Sequence, residues 1–138
     1  MLGDAGKNSK VRIAYFALGT ATVVFGMVIH FHGFWIPRAA RDAIGDALWA
    51  TMLACWISVI TPQTRPTKRY CVALLLCFAV ELSQLWHTPV LDYGRSTHVG
   101  QLVLGSGFDP RDFAAYTLGV LLFIWLDQRW ILRSERPI

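Results

Sequence analysis

The chain has 138 residues, 54% of them hydrophobic, with six tryptophans and a formal net charge of +4. Charged residues make up 16%, against roughly 25% in soluble globular domains, which argues against an ordinary water-soluble domain. The basic balance does not signal a nucleic-acid partner, because Lys and Arg flank apolar runs instead of gathering on one surface. Cys55, Cys71 and Cys77 all lie inside apolar runs with no CxxC or Cys/His spacing. They read as small hydrophobes, so no disulfide framework, metal site or cofactor is expected.

Four apolar runs follow in chain order, at about 11–31, 44–61, 70–87 and 111–131. The first carries only Arg12 and His30 near its ends and is long enough for a hydrocarbon core of about 30 Å. It is too long for a typical signal-peptide core, and no convincing small-residue cleavage site follows it. The second run has Asp46 near its start, the third is interrupted by Glu81 and Gln84, and the fourth has Asp127 near its end. Trp35, Tyr70, Trp86, Tyr93 and Trp130 mark segment edges, as in an interfacial aromatic belt. A soluble helical bundle would need more polar positions at helical spacing than these runs contain. The predicted fold class is therefore all-α: one integral membrane domain over 1–138, a four-transmembrane-helix bundle with a long folded outer loop between the third and fourth helices.

The placement of Lys and Arg sets the expected orientation. With four spans, Lys7, Lys10, Arg12, Arg65, Lys68, Arg69, Arg129, Arg133 and Arg136 share one side, leaving Arg38, Arg41, Arg95 and Arg111 on the other. The positive-inside rule puts the nine, and both termini, in the cytoplasm. The expected location is the plasma (inner) membrane. The loop from Pro89 to Asp109 is too apolar for a free tether and too rich in glycine for a fifth span. It is expected to fold back over the outer mouth and carry Arg95 inward.

The outer side holds the informative residues. Glu81 falls about 16 Å along the third helix at 1.5 Å per residue, a depth where a carboxylate needs an interior partner. Gln84 follows at i+3. Asp46 on the second helix, and Asp112 with Tyr116 on the fourth, bring polar groups to the same leaflet, with arginines available as counter-charges. Asp109, Pro110 and Asp112 also make a good helix start, and Asp42 is a cap candidate. For Glu81, an internal salt bridge and a chemical role are both open. The four histidines show no ligand spacing.

The segments RDAIGDALWATM, AVELSQLW and GRSTHVGQLVLGSGFDPRDFAAYTLGV resemble the DUF2809 family of small bacterial membrane proteins. The resemblance rests on Gly45 and Asp46, Glu81 and Gln84, Arg95, then Phe108, Asp112, Tyr116 and Gly119. The order of residues is also similar to VanZ-like proteins of the cell envelope. DUF2809 brings no established activity with it. The leading expectation is a non-enzymatic membrane protein. Its outer-leaflet polar pocket, made of Asp46, Glu81, Gln84, Arg95, Asp112 and Tyr116, binds a lipid-linked or other envelope ligand. The alternatives are an intramembrane enzyme with Glu81 or Asp112 as general base and Arg95 holding a phosphate or carboxylate, a proton or ion path, and an accessory subunit of a larger membrane complex. Membrane lipid is the partner common to all of them.

Overall fold

The computed structural model describes residues 2–105 and 107–131, and among them the side chains of 8–97, 99–101, 103–105 and 107–129. Lys7, Trp130, Arg133 and Arg136 of the charge and belt patterns lie outside the described side chains. The fold is all-helical, with no strand among the described residues. Its long elements are α1 (Leu2–His32), α2 (Arg38–Ile60), α3 (Pro66–Ser83) and α6 (Asp112–Leu126). Two short helices, α4 (Pro89–Arg95) and α5 (His98–Leu104), lie between α3 and α6, and a π-helical turn, Asp127–Ile131, continues α6.

Local chemistry moves several helix ends away from the apolar runs. α2 starts at Arg38, six residues before the expected position, because Arg38–Ala43 is rich in good helix formers and Pro37 fixes the entry. Asp42 is therefore inside the helix and does not cap it. Pro66 at the first turn starts α3 early, where its missing N–H costs nothing. α3 ends at Ser83, and the chain then turns toward Pro89. Thr88, held extended before that proline, accepts the Leu91 N–H at 3.3 Å and starts α4.

α2 is the central helix: α1 packs along it, α6 packs along it, and α3 closes against both α2 and α6. Small residues make the close approaches possible. Gly19 of α1 faces Cys55 and Trp56, and a side chain at Gly119 of α6 would collide with the Ala47 carbonyl. Thr51 hydroxyl donates to both Ala47 O and Gly119 O at 2.9 Å, tying α2 to α6. The core joins Ala50, Ala54, Cys55, Ala73 and Cys77 to Tyr15, Tyr70, Tyr116 and Phe123. Tyr70 is thus a core residue packed edge-on to Phe123, not part of an interfacial belt, whereas Trp35, Trp86 and Tyr93 are exposed.

The polarity of the bundle is inverted in part. Phe16, Phe25, Met27, Ile60, Leu75, Leu76, Leu121 and Leu122 are exposed, while Arg69, Glu81 and Asp127 are 2%, 0% and 0% exposed. A water-soluble bundle places these classes the other way round. Asn8–His32 and Arg38–Ile60 are long and apolar enough to cross a membrane by length and composition. α3 carries Lys68, Arg69 and Glu81 within 18 residues, and α6 proper has 15.

Candidate functional site

The last turn of α3 presents Glu81 to the interior, and three segments converge on its carboxylate. Oε2 accepts from Gln84 Nε2 at 2.9 Å and from the Tyr116 hydroxyl of α6 at 3.1 Å. Oε1 accepts the backbone N–H of Asp109 at 2.8 Å. Both oxygens are used as acceptors, and every donor is neutral.

Among the described residues, no arginine supplies the expected counter-charge. Arg95 is buried, but its Nη1 donates to Trp86 O at 2.9 Å and its Nη2 to Ser83 O at 2.8 Å, with Asp92 at 3.6 Å. The reason is the early end of α3, whose last carbonyls need donors. A cation there also matches the negative end of the helix dipole. Arg38 is 88% exposed and pairs with Asp42 at 3.8 Å. Charge matching alone pointed to these arginines, but the local need of a helix terminus and solvent access decide their positions.

Asp46 of α2 and Asp112 at the start of α6 are half-buried side by side, within side-chain hydrogen-bonding reach, and Glu81 lies close enough to act on both. Asp46, Glu81, Gln84, Asp112 and Tyr116 therefore form one cluster, beside which Arg95 acts on the helix end. Gln84 Oε1 is buried without a partner, and the Gln84 amide packs on Gly105. Gly105 has φ of 72°, a left-handed conformation suited to glycine. At the mouth, Asp109 Oδ1 accepts the Arg111 N–H at 2.9 Å, and Arg111 Nη2 lies 3.0 Å from Oδ2. That backbone N–H, followed by the guanidinium, holds the Asp109 carboxyl below its ordinary range. No group of three His, Cys, Asp or Glu with metal-holding geometry occurs among the described residues.

A second polar node, not anticipated from the sequence, lies at the opposite end of α3. Asp127 accepts the Tyr15 hydroxyl at 2.7 Å and the Tyr70 hydroxyl at 2.6 Å, with Arg69 Nη2 at 3.6 Å. The Arg69 guanidinium also sits 5.1 Å from the Tyr15 ring centroid, and its Nε and Nη1 are buried without partners. The available signal was depth. In an antiparallel bundle, Arg69 at the start of the third run and Asp127 at the end of the fourth fall at one level.

An apolar-surfaced helical bundle with carboxylates and a salt bridge sequestered inside defines the class. A family model described as a protein of unknown function (DUF2809) matches residues 35–120. The chain belongs to the DUF2809 family. The match takes in Asp46, Glu81, Gln84, Asp112 and Tyr116 but stops short of Tyr15 and Asp127. No solved structure matches the chain.

Proposed function

We propose that the chain is a four-span protein of the bacterial inner membrane with both termini cytoplasmic. At its outer end, Asp46, Glu81, Gln84, Asp112 and Tyr116 receive the head group of a cell-envelope amphiphile. The partly inverted polarity supports the membrane assignment: large apolar side chains face outward along α1, α3 and α6, while Arg69, Glu81 and Asp127 are buried. α6 and its π-helical continuation together supply 20 residues, about 30 Å of helix.

The observation that carries the site is the adjacency of Asp46 and Asp112 on two different helices, beside a Glu81 already committed to protein donors. Two neighbouring carboxyls without a bonded protein cation favour a ligand that donates hydrogen bonds, through an amine or several hydroxyls. With Arg95 engaged on the Ser83 and Trp86 carbonyls and Arg111 on Asp109, neither is free to hold a phosphate at the cluster. The head-group chemistry is therefore that of an aminated or glycosylated lipid, recognised away from its phosphate.

The test is native mass spectrometry of lipids retained after gentle extraction, comparing the wild type with Asp46→Asn/Asp112→Asn. The wild type should keep an aminated or glycosylated amphiphile that the double variant loses. An identical lipid complement in both would reject the site. Reporters fused after Ile138 and inserted near Val99 should report cytoplasm and periplasm respectively, and swapped outcomes would put the cluster on the cytoplasmic side.

A further inference from the structure

Resting on the membrane-spanning reading, we infer that the end of the bundle around the Asp127 node is a binding surface for the phosphates of anionic phospholipids in the cytoplasmic leaflet. The node fixes three chain segments at one level, since Tyr15 belongs to α1, Arg69 and Tyr70 to α3, and Asp127 to the turn after α6. Each segment carries exposed cations close to that level. Lys10 and Arg12 precede Tyr15 by at most five residues, Arg65 and Lys68 precede Arg69 by at most four, and Arg129 follows Asp127 by two. At 1.5 Å per residue, all five lie within about 8 Å of the node along the helix axes. Asp127 does not offset them, because it is buried and faces Arg69.

The two ends treat their cations differently. At the far end, three of the four arginines, Arg38, Arg95 and Arg111, pair with Asp42, Asp92 and Asp109, and Arg41 alone has no ion pair among the described residues. Among the described residues, no ion pair includes Lys10, Arg12, Arg65, Lys68 or Arg129. What lies beside these cations identifies the partner. Ile13 and Phe16 follow the α1 pair, Val72 and Leu75 follow the α3 pair, and Leu121, Leu122 and Trp125 precede Arg129, all exposed. Arg129 stacks 5.7 Å from the Trp125 ring. A cation directly above an apolar strip, repeated on three helices, fits a head-group phosphate above its own acyl chains. An acidic protein or a nucleic acid has no use for the apolar half of that pattern. Juxtamembrane cations of this kind each favour an anionic surface by a factor of about five.

The experiment uses the full chain in nanodiscs made from equal parts phosphatidylglycerol and phosphatidylcholine, with retained lipid counted by native mass spectrometry after release. The wild type should retain phosphatidylglycerol in preference by about fivefold or more, and added salt should weaken the preference. Lys10→Gln/Arg12→Gln/Lys68→Gln/Arg129→Gln should bring it close to parity, while Arg38→Gln/Arg41→Gln at the other end should leave it unchanged. Equal retention by the wild type, or a preference that survives the quadruple variant, overturns the inference. Alkaline carbonate washing of the source membranes separates the two levels of failure. Release of the protein overturns the spanning reading together with this one, whereas retention without a phosphatidylglycerol preference overturns this one alone.

Discussion

Replacing Asp127 with alanine should destabilise the bundle by about 3–5 kcal/mol, the cost of leaving a buried charge without its partner. Three buried groups lose their acceptor at once: the Tyr15 hydroxyl at 2.7 Å, the Tyr70 hydroxyl at 2.6 Å and the Arg69 guanidinium at 3.6 Å. Arg69 dominates the sum because it is 2% exposed and already has two nitrogens, Nε and Nη1, without a partner. The hydroxyls contribute less, since side-chain hydrogen bonds inside membrane bundles average about 0.6 kcal/mol and reach about 1.7. Tyr15→Phe should therefore fall in that lower range, well short of Asp127→Ala. Removing both charges together, as in Arg69→Met/Asp127→Leu, should recover most of the loss, because a well-packed apolar pair can replace a buried ion pair at little cost. Reversible unfolding in mixed micelles, followed by tryptophan fluorescence, gives all the values on one scale. A loss below about 1 kcal/mol for Asp127→Ala, or a double variant as unstable as the single, would refute the reasoning.

Glu81→Gln should cost about 1–3 kcal/mol in the same assay, because all three partners donate and the new amide turns an NH2 group toward at least one of them; a silent substitution would mean that one partner accepts. Arg95→Gln should cost about 1.5–3 kcal/mol by freeing the Ser83 and Trp86 carbonyls from charged donors, with hydrogen exchange rising at the end of α3 and in α4 and not at α1. Gly119→Ala should cost about 1–3 kcal/mol as an overpacked contact with the Ala47 backbone, and a thermal midpoint equal to wild type would show that α2 and α6 are not in close contact there.

The helical class and the family were legible from the apolar runs and from the Asp46, Glu81, Gln84, Asp112 and Tyr116 pattern, because burial periodicity and motif order are written along the chain. Helix ends were not. Pro66 and the helix-forming Arg38–Ala43 stretch act locally and outweigh hydropathy, shifting α2 and α3 toward their N-termini. The arginine partners were misjudged for a related reason. Sequence shows that Glu81 needs compensation, but not that an amide, a phenol and a backbone N–H supply it, since the Asp109 N–H carries no side-chain signature. Arg95 was visible as a cation and invisible as a cap, because its role depends on α3 ending at Ser83. The Asp127 node went unread because Arg69 counted as one of several loop cations, and Tyr15 looked like one aromatic among many in an apolar run.

Tyr15 and Asp127 are separated by 112 positions, which gives the node a place in time as well as in space. At about 5–20 residues per second, Tyr15 waits roughly 6–22 seconds after synthesis for its acceptor to be made. For the later half of that interval Tyr70, made 57 positions before Asp127, and its neighbour Arg69 also lack their carboxylate, so the nascent bundle holds a buried cation that only the turn after α6 can satisfy. A chain arrested after Leu126 would retain every long helix and still carry this defect. The node thus makes the finished bundle distinguishable from an unfinished one, and a protease that samples helices with unmet charges has until Asp127 arrives to act.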